Sequence, residues 1–184
     1  MSSLERFADA VDAINDGIGR ALSWLTLGMV LVTFVVVLMR YVFGIGSTIL
    51  QESVVYMHAI VFMACAGYAL VYNGHVRCDI FYGAASPRAK SVIDIIGTVI
   101  FLIPMCVLIL WVAWPYVVAA WAVMEGSPEG RMGIPAVYLL KTLIPVFAVL
   151  LALQSASLIV RSALCLAGVT ASRGKLDGEE GPRA

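Results

Sequence analysis

The sequence predicts an all-α integral membrane protein with four transmembrane helices, an N-terminal amphipathic helix ahead of the first, and both termini cytoplasmic. Three observations carry this. Of the 184 residues, 61% are apolar and 13% charged, against roughly 45–50% and roughly 25% in an ordinary soluble domain. A core of this size cannot hide that much apolar surface from water, so part of it must face lipid. Four long stretches carry almost no charge, each near the roughly 20 residues that cross a bilayer as a helix. Lysine and arginine are also divided unevenly between the two sides of those stretches.

Residues 1–20 read as an amphipathic helix at the cytoplasmic face. Ser2 and Glu5 have the spacing of a capping box. Leu4, Phe7, Val11, Ile14 and Ile18 follow at helical intervals. The other face carries Glu5, Asp9, Asp12 and Asp16 against Arg6 and Arg20, which suits an anionic inner leaflet poorly. Two readings stand: an interfacial extension of the first span, or a helix that docks on a partner. The first span covers about 21–43, uncharged from 21 to 39 and closed by Arg40 and Tyr41. Its apolar run is too long, and its leader too acidic, for a cleaved signal peptide.

The second span covers about 53–73, bracketed by Glu52 and the polar run Asn73-Gly74-His75. The third, about 92–124, holds an uncharged run from 95 to 124, about 45 Å of helix. That is long for one perpendicular crossing and short for two. It reads as one tilted helix, bent near Pro104 and Pro115 and projecting past the membrane. The fourth covers about 135–161, with Lys141 near its start, Arg161 at its close, and Pro145 removing the hydrogen bond to the Lys141 carbonyl. The four spans form one transmembrane domain, 21–168. The remainder, 169–184, is rich in glycine and charge and reads as a disordered cytoplasmic tail.

Arg6, Arg20, Arg77, Arg88, Lys90, Arg161, Arg173, Lys175 and Arg183 fall on the side of the termini, and only Arg40, Arg131 and Lys141 on the other. The positive-inside rule then makes both termini cytoplasmic. Across the chain, twelve basic and twelve acidic side chains cancel, which argues against nucleic acid as a partner. Cys65, Cys78, Cys106 and Cys165 form no CxxC pair and read as packing residues, so no metal or cofactor is expected.

Ionisable groups near the membrane are the functional candidates. His58 lies deepest, about 7 Å from the middle of its span. It fits an interhelical hydrogen bond, a contact with another subunit, or proton chemistry, although a lone histidine makes no relay. His75 follows seventeen residues later, about 25 Å along a helix, too far for the pair to hold one haem between them. Arg40 and Glu52, at neighbouring ends of the first two spans, could pair with each other or bridge to a partner. Lys141 can snorkel outward. Asp94 reads as a carboxylate at the N-terminus of the third span, where it is favourable. Ala148, Ala152 and Ala156 make a small-residue ridge on the fourth span, Gln154 adds a polar group there, and Ala64 to Gly67 thins the second. No nucleophile, base and orienting group share a defensible spacing, so no enzyme activity is expected. There is also no internal repeat of the kind common in transporters that work alone.

Several stretches, taken in order, are those of a known family. They are Arg40-Tyr41-Val42-Phe43, Gln51-Glu52, Tyr56-Met57-His58-Ala59, the run Gly74-His75-Val76-Arg77-Cys78-Asp79-Ile80-Phe81-Tyr82, Glu125-Gly126-Ser127-Pro128-Glu129 and Gly133-Ile134-Pro135. Together they resemble the small membrane subunit (DctQ-type small permease) of tripartite ATP-independent periplasmic (TRAP) transporters, and Lys141, Pro145 and Gln154 also fit. Leu50-Gln51 stands where many members have Trp, and Cys78 where Val is common. The resemblance implies a four-helix protein of the bacterial cytoplasmic (inner) membrane, joined to a large multispanning elevator-type permease. A periplasmic substrate-binding protein would deliver an organic anion, often a carboxylate, and a sodium gradient would drive uptake. On this reading the first, second and fourth spans pack on the static part of the permease. Glu52, Arg40, Glu125, Glu129 and Arg131 help form a docking rim for the binding protein. Arg77 and Asp79 either cap a cytoplasmic turn or contact a partner. An anchor for a redox or other enzyme complex and a small homo-oligomeric channel are the alternatives.

Overall fold

α1 runs unbroken from Ser3 to Tyr41, so the amphipathic leader and the first span are one helix in this computed structural model, which describes residues 3–72 and 86–168. Its 39 residues amount to about 58 Å. Even at the upper end of usual tilts, about 40°, it outruns a hydrocarbon core about 30 Å thick, and its first turns must emerge. A short connection holding Gly44 at φ +66, the left-handed region open to glycine, leads into α2 (Thr48–Ala64). The Ser47 side chain caps α2 by accepting from the Leu50 N–H. The span bends at Cys65 and continues as α3 (Ala66–Val71).

The third span opens with α4 (Pro87–Gly97), where Ser86 accepts from the Ala89 N–H and Pro87 occupies the first turn, a position that needs no amide hydrogen. This start puts Asp94 in the second turn of the helix, not at its N-terminus as expected. A π-helical turn, Thr98–Leu102, follows, in which the Ile103 N–H reaches back to the Thr98 carbonyl. It ends two residues before Pro104, whose missing amide hydrogen would interrupt a regular α ladder at this point. α5 (Ile103–Ala122) then continues through Pro115. A loop with one 3₁₀ turn, Gly130–Met132, leads to α6 (Val137–Leu166), which holds Pro145 inside it.

Among the described residues there is no strand, and four helices are long and apolar enough to cross a membrane. α6 is the centre of the bundle and contacts every other long helix. The helices meet through small side chains: Ala8, Ala64, Cys106, Ala113, Ala120 and Ala148 are buried, as are Ser91, Ser155, Ser157 and Ser162. Val11, Val117 and Leu151 are buried among them, but the bulkiest residues point out, including Trp24, Phe34, Phe101 and Trp111. This is the inverse of a soluble core. In lipid, burying a large apolar side chain gains little, and close backbone approach through small residues is what binds helices together.

The leader also turns over relative to its sequence pattern. Ala8, Val11, Asn15 and Gly19 are buried, while Leu4, Phe7 and Ile14 are exposed. Val11 therefore leaves the apolar stripe in which helical spacing places it. The physical cause is the set of polar partners waiting on α6.

Candidate functional site

At the end of the bundle that carries Ser3 and Leu166, α1 is tied to α6 by a buried polar cluster. Arg161, 6% exposed, donates from Nε to Asp12 Oδ2 at 2.9 Å and from Nη2 to Asp9 Oδ1 at 2.8 Å. Nη2 also reaches Asp12 Oδ2. The other Asp12 oxygen accepts from Gln154 Nε2 at 2.8 Å and from Ser157 Oγ at 2.7 Å. Asn15 Nδ2 donates to Gln154 Oε1 at 2.9 Å. A buried charge persists only when paired and hydrogen-bonded, and Asp12 meets that condition from four donor groups. Asn15 lies so close to α3 that a Cβ on Gly67 would overlap its side-chain oxygen. Gly19 similarly accommodates the Tyr68 ring. One turn on, the Tyr72 hydroxyl donates to Asp16 Oδ1 at 2.6 Å, and Arg20 Nε lies 2.9 Å from Asp16 Oδ2.

At the opposite end, Glu52 does not pair with Arg40. Its carboxylate accepts from Ser127 Oγ and, at 2.6 Å, from the Ile134 N–H. The loop between α5 and α6 thus folds over the start of α2. Gly133 is glycine because a Cβ there would meet Ser127 and Glu52. The Lys141 ammonium lies 2.5 Å from Glu125 and 4.0 Å from the centroid of the Tyr116 ring. Beside it, Trp121 Nε1 donates to Thr142 Oγ1 at 2.9 Å and stacks edge-on to Tyr138. Glu52 and Glu125 are therefore internal ties, whereas Arg40, Glu129 and Arg131 remain exposed around them.

Of the remaining candidates, Gln154 is buried in the Asp12–Arg161 cluster, Gly67 packs on Asn15, and Ala148 is buried with Ala152 and Ala156 half-buried. His58 is exposed on the outer surface of α2, stacked on Phe62 with ring centroids 6.1 Å apart. His75, Arg77 and Asp79 lie outside the described residues. Sequence reasoning did not pick out Asn15, Asp9, Asp12, Ser157 or Ser127 as functional. A signal for the Asp12–Arg161 tie existed: four leader carboxylates against two arginines leave negative charge unmatched, and Arg161 closes the fourth span on the same side. Between α5 and α6 an apolar groove of about 500 Å³ is lined by Leu108, Ile109, Val112, Ala113, Tyr116 and Ile144. That lining suits hydrocarbon, not a carboxylate.

A family sequence profile, described as the DctQ component of tripartite ATP-independent periplasmic transporters, matches residues 29–165. The chain belongs to the DctQ family. The matched residues take in most of the first span, the other three spans and both halves of the Glu52 tie, but begin after the leader half of the Arg161 cluster. No curated protein and no solved structure matches this DctQ chain. Membership makes it a multi-pass membrane component of a transporter rather than an enzyme. Its family works in complexes with a large permease and a binding protein.

Proposed function

We propose that this DctQ chain is the fixed scaffold subunit of a sodium-coupled transporter in the inner membrane, one that takes up organic anions, chiefly carboxylates, from a periplasmic binding protein. One observation carries the reading: the interior polar groups join helix to helix at the two ends of the bundle, while small-residue packing lies between them. That arrangement stiffens four helices against one another, as the stator beside a moving elevator-type permease requires.

In this reading both termini are cytoplasmic, so the Asp12–Arg161 cluster faces the cytoplasm and the Glu52–Ile134 tie faces the periplasm. Glu52 holds the 123–136 loop in place. The exposed charges of Arg40, Glu129 and Arg131 then form the rim that meets the binding protein, where they set association rate and salt dependence more than the transport step.

The test is mild-detergent purification of the tagged subunit from its native membrane, followed by reconstitution with and without what travels with it. A large multispanning permease should co-purify in fixed ratio, and sodium-dependent uptake with the binding protein should need both chains. Recovery as a homo-oligomer that moves solute alone, or together with a soluble oxidoreductase, would refute the reading.

A further inference from the structure

The outward faces of the bundle differ in one respect. α1 presents residues such as Val30 and Phe34, α5 presents Leu108 and Trp111, and α6 presents Val149 and Leu153. These are apolar. Thr26 and Thr33, also exposed on α1, carry hydroxyls that can bond carbonyls of their own helix. α2 is different. Its exposed stripe is Gln51, Val55, His58 and Phe62, at intervals of four, three and four residues, which is one face of a helix. Val55 and Phe62 are 56% and 67% exposed.

Depth makes the histidine unusual. Because the helix begins at Thr48 and the span ends at Val71, His58 lies about 2 Å from its middle, nearer than the sequence-based boundaries imply. An imidazole cannot readily bond its own helix as a threonine does, and at mid-depth there is no water for it. Stacking on Phe62 holds it along the exposed stripe. Ionisable residues within transmembrane segments characteristically face protein or a water-filled cavity, not lipid.

We infer that the Gln51–Val55–His58–Phe62 stripe is the seat of a transmembrane helix of the large permease, with His58 hydrogen-bonded across the interface. This rests on the scaffold reading and names the face that the scaffold uses. The partner helix must offer a hydrogen-bonding side chain or an open backbone carbonyl opposite His58, and small residues where Val55 and Phe62 seat. The apolar outward faces of α1 and α5 are left to lipid, which departs from the family-based expectation that the first span also packs on the permease.

The experiment places a photo-reactive phenylalanine analogue at Val55 or Phe62, and for comparison at Phe34 on α1 or Trp111 on α5, in membranes expressing the whole transporter. Cross-links to the permease are expected from the α2 positions and not from the other two. In parallel, His58→Ala should lower permease retained on dilution about 3- to 20-fold, the range that a membrane hydrogen bond supplies. His58→Gln should restore part of it, and helix content of the isolated subunit should not change. Permease captured from α1 or α5 instead, or a second copy of this chain captured from α2, would overturn the inference while leaving the scaffold reading intact. Failure of the permease to co-purify with the unmodified subunit would overturn both.

Discussion

Replacing Arg161 with leucine removes the cation that Asp9 and Asp12 share where they point at α6. Breaking one side of a buried ion pair costs about 3–5 kcal/mol, because the other side is left without compensation. Asp9 and Asp12 keep 29% and 21% of their side chains exposed, and Asp12 retains Gln154 and Ser157 as donors. The loss should therefore fall at the lower end, about 3 kcal/mol. That is roughly a hundredfold in the folded-to-unfolded ratio, at about 1.4 kcal/mol per tenfold. The assay is reversible denaturation in mixed micelles, run as a double-mutant cycle with Asp12→Asn. Coupling between the two substitutions should exceed about 0.5 kcal/mol, the scatter expected of independent sites. A loss below about 1 kcal/mol with additive single effects would show that the guanidinium is solvated and that α1 is held by something else.

Three further outcomes follow from the same geometry. Glu52→Ala should free the 123–136 loop by removing charge-assisted bonds worth about 1.5–3 kcal/mol each, so protease cleavage after exposed Arg131 should accelerate; an unchanged cleavage rate would refute the tie. Gly67→Ala should destabilise, because overpacking against Asn15 at about 1–3 kcal/mol outweighs the roughly 1 kcal/mol gain in helix propensity. Gly97→Ala, where a Cβ meets nothing within 4 Å, should stabilise, and equal signs for the two would refute the close contact. Tyr72→Phe should destabilise the chain by about 1.5–3 kcal/mol, the worth of a hydrogen bond to a charged group, in the same micelle denaturation assay; unchanged stability would contradict the bond to Asp16.

Some of the molecule follows from local chemistry. Four membrane-spanning helices are legible because a run of apolar residues satisfies its backbone internally wherever it sits, and lipid accepts no other fold of such a chain except a closed barrel. Pro104 and the Ala64–Gly67 step are local in the same way, and the irregularities in the third and second spans fall beside them. The capping of α4 by Ser86 and Pro87 is equally local, though the expected start at 92 overlooked it and so misplaced Asp94.

The tertiary structure decided which polar groups meet. Asp12 and Arg161 are 149 residues apart, and nothing in the periodicity of the leader says whether its acidic face looks at water, lipid or another helix. Once α1 lies along α6, the carboxylates find Arg161, and Leu4, Phe7 and Ile14 turn outward. Opposite charge makes Arg40 the natural guess for Glu52. Chain closure settled otherwise, because the α5–α6 loop brings Ser127 and the Ile134 amide directly onto the carboxylate while Arg40 stays exposed. Composition and period determine how this chain enters a membrane. The partners of its few polar groups depend on which helices become neighbours, and that is a long-range outcome with no local signal.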